Sequence, residues 1–136
     1  MKGLISCLVV AMLPLSAVAQ DREYDELYIA VETSPSSYPC QLTVPGTSGE
    51  RGWNGEKSKP YSNTVTSCQV QIPKKEFLAT YEVCFLSGIR LPDHNLSTHT
   101  YCSYSYPNFF TAEIGKVADM EGINSILCKF VCKVRQ

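Results

Sequence analysis

Four side chains in the stretch TYEVCFLSGIRLPDHNLSTHT are of types that could cleave a phosphodiester: Glu82, Arg90, His94 and His99. A carboxylate can take the proton of a ribose 2′-hydroxyl, a guanidinium can hold the phosphate, and an imidazole can protonate the leaving oxygen. Glu82, Arg90 and His99 are the set that such a reaction would use. The competing reading makes His94 a turn residue and His99 an exposed strand residue. Only seven residues separate Glu82 from Arg90, a tight fit for two adjacent strands. Serine or cysteine hydrolysis has less to build on. No G-x-S-x-G elbow occurs, and oxidised cysteines cannot act as nucleophiles.

The cysteines carry the second kind of chemistry. Residues 1–19, MKGLISCLVVAMLPLSAVA, have a basic start, an uncharged apolar run from Leu4 to Leu15, and Ala17-Val18-Ala19 as a small-x-small cleavage site. This is the pattern of a secretory signal peptide, and the run is too short for a membrane-spanning helix of ~20 residues. Residues 20–136 then form one secreted domain. Cys7 leaves with the leader, so Cys40, Cys68, Cys84, Cys102, Cys128 and Cys132 remain, an even set that predicts three disulfides in an oxidising compartment. Cys128 and Cys132 have a spacing that zinc could use, but no second close Cys or His pair completes a tetrahedron. Redox catalysis would want Cys-x-x-Cys beside a βαβ unit. No metal or cofactor is expected. On a strand, Cys128 and Cys132 share a face but lie ~13 Å apart, beyond the ~7 Å reach of a bridge. Each is therefore expected to tie the last strand to a different element, with the pairing left open.

A third group could recognise rather than react. Tyr101, Tyr104 and Tyr106, followed by Phe109 and Phe110, form the densest aromatic run, and Trp53 is the only tryptophan. Such clusters are most often core packing. Tyr and Trp also anchor interfaces, because they supply large rigid contact area. Asn95-Leu96-Ser97 is the only N-glycosylation sequon.

The elements that must position these residues read mainly as strands. Residues 23–32 alternate with Leu27, Ile29 and Val31 on one face, and 40–44 place Cys40, Leu42 and Val44 together. Residues 45–63 are glycine- and serine-rich and read as one long loop around Trp53, of the length that is usually functional or disordered. Residues 65–72 alternate with Thr66, Cys68, Val70 and Ile72 on one side. Phe77, Ala79, Tyr81, Val83 and Phe85 could share the face of one strand. Alternatively Pro73 opens a short helix, with strand from Tyr81 onward. Residues 98–106 group Thr100, Cys102, Tyr104 and Tyr106. TAEIGKVADMEG, residues 111–122, reads as the clear helix, with Thr111 at the N-cap and Gly122 past the end. The last strand puts Cys128, Phe130, Cys132 and Val134 on one face. The expected fold is α+β: an antiparallel sheet of five or six strands with one helix near the C-terminus and three disulfides.

The chain has 12 basic and 13 acidic residues, which lacks the basic footprint of a nucleic-acid binder. Its charges are polarised. Residues 21–32 are rich in acid, whereas the tail after Glu121 carries Lys129, Lys133 and Arg135 without acid. That polarity predicts that the first and last strands are neighbours.

Two resemblances bear on function. TYEVCFLSG and the THT around His99 resemble the secreted fungal guanyl-specific ribonucleases, which implies a ribonuclease or an inactive protein of that fold. That family places its main helix before the sheet, whereas the helix expected here follows His99. By size, leader and cysteine number the chain also resembles the small secreted cysteine-rich effectors of fungal pathogens. That resemblance implies a non-enzymatic virulence protein binding a host protein or glycan, with neither nucleic acid nor membrane as partner and an oligomeric state left open. An extracellular inhibitor or carbohydrate-binding domain is the other expectation.

Overall fold

The computed structural model describes residues 22–33, 40–46, 51–59, 64–91, 99–115 and 125–136. The expected leader (1–19), His94, the Asn95 sequon and residues 116–124 lie outside them. The described elements run β1 (Tyr24–Glu32), β2 (Gln41–Val44), β3 (Arg51–Asn54), β4 (Glu56–Ser58), β5 (Val65–Gln71), α1 (Lys74–Thr80), β6 (Tyr81–Arg90), β7 (Thr100–Ser105), β8 (Phe109–Gly115) and β9 (Ser125–Val134).

The strands form two antiparallel sheets, ordered β3-β2-β1-β9-β6 and β4-β5-β8-β7. Their inner faces meet as a sandwich, with β5 under β1 and β2, and β7 under β9 and β6. The single sheet of five or six strands is thus corrected to two. One sheet of that size would leave the alternating apolar faces of β1, β5 and β9 without a second layer. Leu27, Ile29 and Val31 of β1, Val70 of β5, Phe110 and Ile114 of β8, and Phe130 of β9 are at most 1% exposed in the shared core. The Phe110 and Phe130 rings meet edge-on at 5.1 Å between centroids across the two sheets, a preferred aromatic geometry.

The first and last strands are neighbours, as the charge polarity predicts: β1 and β9 pair antiparallel from Tyr24↔Lys133 to Glu32↔Ser125. Lys129 Nζ lies 2.9 Å from Glu26 Oε1, and the Tyr28 hydroxyl donates to Glu26 Oε2 at 2.7 Å.

The helix expected over residues 111–122 is corrected over the part described. Residues 111–115 belong to β8, which is hydrogen-bonded to β5 on one side and β7 on the other. Thr111 and Glu113 carry N-terminal helix signals worth about 1 kcal/mol. Pairing along both edges, with Phe110, Ala112 and Ile114 buried inward, outweighs them. The helix among the described residues is α1, with Pro73 at its N-cap and strand beginning at Tyr81. Its buried Phe77 lies 5.6 Å from the Tyr81 ring. Arg135 caps the other end, its backbone N–H donating to Thr80 O at 2.8 Å and its Nε to Leu78 O at 2.6 Å. Arg135 thus satisfies carbonyls that a helix end leaves open.

The long loop of 45–63 is corrected in part as well, since it contains β3 and β4. The chain crosses from the first sheet to the second at Gly55, whose N–H donates to Cys40 O at 2.7 Å. A Cβ there would meet Gln69 O at 2.5 Å and Cys40 Sγ at 2.8 Å, so only glycine passes. Gly46, with φ +86, supplies the left-handed turn after β2.

The six cysteines among the described residues are all bridged. Cys40–Cys68 and Cys102–Cys128 each join one sheet to the other, and Cys84–Cys132 crosses β6 and β9 within the first. Cys128 and Cys132 therefore bind different elements, as strand spacing requires.

Candidate functional site

The structure does not assemble the phosphodiester set. Glu82 and Arg90 stand near opposite ends of β6, roughly 25 Å apart at ~3.3 Å per residue, too far to act on one phosphate. Glu82 Oε2 lies 3.3 Å from Lys133 Nζ. His99 precedes β7 in the other sheet, and the carboxylate it meets is Glu113, with Nε2 to Oε1 at 3.3 Å. Glu113 was hidden from sequence reasoning because residues 111–122 read as a helix. Its neighbour across β5 and β8 is Ser67, whose buried Oγ has no hydrogen-bond partner. Glu113 meets the imidazole but does not hydrogen-bond the Ser67 hydroxyl, so these three do not form a triad in which imidazole links nucleophile to acid. Among the described residues no cluster of three or more His, Cys, Asp or Glu is placed to hold a metal ion.

The aromatic candidates divide between packing and surface. Trp53, on edge strand β3, packs against the core. Its Nε1 donates to Glu76 Oε1 at 3.0 Å, and the Arg51 guanidinium lies 5.9 Å from its ring centre. The indole fastens β3 to α1. Tyr104 faces inward onto Phe110, 5.2 Å between ring centroids, and its hydroxyl donates to Pro107 O at 2.6 Å. Burial pushes that hydroxyl above the usual tyrosine range. Tyr101 and Tyr106 are different, being 47% and 69% exposed. They lie on and just after β7, at the margin of the sandwich opposite β3. Trp53 and the tyrosines therefore do not share a surface.

The feature that sequence reasoning missed is β6. Val83 and Phe85 were expected to share a face with Phe77 and Tyr81. Two register shifts against β9, at Tyr81/Val83 and at Leu86/Gly88, alter the alternation. Phe77 and Tyr81 go into the core. Val83 and Phe85 turn outward opposite Lys133 and Val131, while Leu86 and Ile89 fall on the inward side at the sheet's rim. All four are exposed. Among the described residues the exposed large apolar side chains are these four, Leu91, Tyr101, Tyr106 and Tyr24. All but Tyr24 lie along the β6/β7 margin. The sole foresight available was composition: YEVCFLSGI is apolar at even and odd positions alike, unlike a strand with one wet face.

Beside this margin, Tyr28, Ser87, Gly88, Ile89, Arg90, Leu127 and Lys129 line an open cleft of ≈ 390 Å³. The hydrogen bond to Glu26 and burial raise the Tyr28 hydroxyl pKa, while contact with Glu26 raises Lys129. Glu26 is lowered, first by Tyr28 and then by Lys129. These three groups hold one another, whereas Arg90 forms no ion pair among the described residues.

Comparison with protein-family models, curated proteins and solved structures returns no match. The reading of function therefore rests on the site itself.

No helix among the described residues is long and apolar enough to cross a membrane. Three disulfides in a small domain are the chemistry of an oxidising compartment.

Proposed function

We propose that this protein is a secreted, disulfide-stabilised β-sandwich that acts by binding a partner protein through its β6/β7 margin, a virulence protein of the fungal-effector type. The observation that carries the reading is the segregation of exposed apolar side chains. Phe85, Leu86, Ile89, Tyr101 and Tyr106 stand 40–69% exposed at one margin, while at the other Trp53 is tied down and half-buried. Exposed apolar side chains gathered at one margin mark an interaction site more than scattered single residues do. Tyrosines beside an aliphatic strand supply rigid anchors that bury large area at low entropic cost. The signal-peptide pattern of residues 1–19 and the bridged cysteines support secretion.

The test immobilises the secreted protein and measures retention of a partner from an extracellular extract of candidate host tissue. Saturable retention should be lost with Phe85→Lys/Tyr106→Lys and kept with Glu56→Lys on the opposite margin. Equal retention by all three proteins refutes the margin as the site. RNA cleavage abolished by His99→Ala would transfer the function to ribonuclease chemistry.

A further inference from the structure

Among the described residues β6 is the longest terminal strand of either sheet, and its central stretch carries little of the usual edge protection. It is the terminal strand of its sheet, bonded to β9 on one side and to no strand on the other among the described residues. It runs for 10 residues without lysine or proline. Both of its faces are apolar, with Val83 and Phe85 outward and Leu86 and Ile89 inward, each 40–49% exposed. Strands apolar on both faces belong in the interior of a sheet. Natural edges are instead kept short or carry charges and proline, because free N–H and C=O groups template another strand. Two bulges and the charges Glu82 and Arg90 near its ends are what blunt this one.

The charges on β6 indicate what completes it. Glu82 and Arg90 lie near its two ends with apolar residues between them. A two-fold axis pairs a strand antiparallel with its own copy. With that axis at Leu86, Glu82 of one copy comes opposite Arg90 of the other, at both ends of the new ladder. Arg90, which has no carboxylate partner among the described residues, gains one. The two Leu86 residues face each other at the axis. Such self-complementarity is what an isologous interface requires and what a strand from an unrelated protein has no reason to match.

We infer that β6 docks antiparallel onto β6 of a second copy, joining two five-stranded sheets into one continuous sheet across a two-fold axis. This deepens the reading above, since it names the occupant of one strand of that margin and leaves Tyr101 and Tyr106 at its flank for another partner. Backbone hydrogen bonds would supply the affinity and the Glu82–Arg90 pairs the register.

Sedimentation velocity on the oxidised secreted protein, over about 1–200 µM, reads the association directly. The expected result is a reversible dimer. Arg90→Glu or Glu82→Arg should each weaken it roughly tenfold or more, because symmetry places two like-charge contacts in every dimer. The double reversal Glu82→Arg/Arg90→Glu should restore it, which loss of fold cannot mimic. Leu86→Lys, at the axis, should abolish it. A wild-type protein that stays monomeric throughout overturns the inference, as does a dimer indifferent to both Leu86→Lys and Arg90→Glu. Either outcome leaves the binding reading to its own assay, in which Tyr106→Lys alone, away from β6, should still lose partner retention.

Discussion

Tyr81→Phe tests whether a buried polar link at the start of β6 holds the first sheet together. Tyr81 is fully buried and Asp25 is 5% exposed, and the hydroxyl donates to Asp25 Oδ2 at 2.8 Å. Phenylalanine keeps the ring, so contact with Phe77 and the local packing survive. What is lost is one hydrogen bond to a carboxylate that water cannot reach to replace it. Bonds to charged groups contribute ~1.5–3 kcal/mol. Arg22, 3.6 Å from the other Asp25 oxygen and half-exposed, offsets little of this. The expected loss is about 2 kcal/mol, a factor of roughly 30 in the folding equilibrium. Urea denaturation at pH 7 measures it.

The same link has a pH signature. Burial, then the hydrogen bond and charge of Asp25, push the Tyr81 hydroxyl well above its ordinary 10.0. The folded state therefore holds this proton more tightly than the unfolded state. The stability it confers is complete below about pH 10 and is lost as pH rises through the raised value. The gap between wild type and Tyr81→Phe should be constant from pH 7 to 9 and should narrow above pH 10. Tyr104, also raised, is present in both proteins and cancels. A gap under about 0.5 kcal/mol at pH 7, or one that does not narrow in alkali, refutes the reasoning.

Other substitutions probe the remaining parts. Gly55→Ala should cost about 1–3 kcal/mol in urea denaturation, because its Cβ would strike the backbone of Gln69 and the Cys40 sulfur at the crossing between sheets. Ser67→Ala should be neutral or raise stability by about 1 kcal/mol, since it removes a buried hydroxyl without a partner; a destabilised variant would show that the hydroxyl is bonded in solution. Arg135→Ala should fray α1 and lower stability by roughly 1 kcal/mol, visible as faster amide exchange across residues 74–80. Trp53→Phe should cost about 1 kcal/mol through the lost bond to Glu76 without changing partner retention. Loss of retention would return Trp53 to the binding surface.

Local pattern was enough where one face is wet and the other dry. The period-two alternation of Leu27, Ile29 and Val31, and of Cys128, Phe130 and Cys132, survives unchanged in the structure, because burial on one face is a property of the strand itself. The same geometry separated Cys128 from Cys132 and required two different partners for them. Charge polarity between the ends of the chain was legible too, since it reports a contact through its complement. Pattern failed where pairing, not propensity, decides. Residues 111–115 carry helix signals, yet ladders on both edges hold them as β8. Glu113 and His99 meet only because β7 and β8 are neighbours.

By itself, then, the sequence determined the leader pattern, the oxidised cysteines, the strands with one dry face and the adjacency of the two charged ends. Each of these is encoded within a short window or by composition. Tertiary structure alone decided that the strands divide into two sheets, that Trp53 is an anchor, and that Glu82 and Arg90 stand at opposite ends of one strand. It also decided that β6, apolar on both faces like an interior strand, ends the sheet. A strand's own residues state what they would bury, but its place in the sheet depends on which neighbours the rest of the chain supplies.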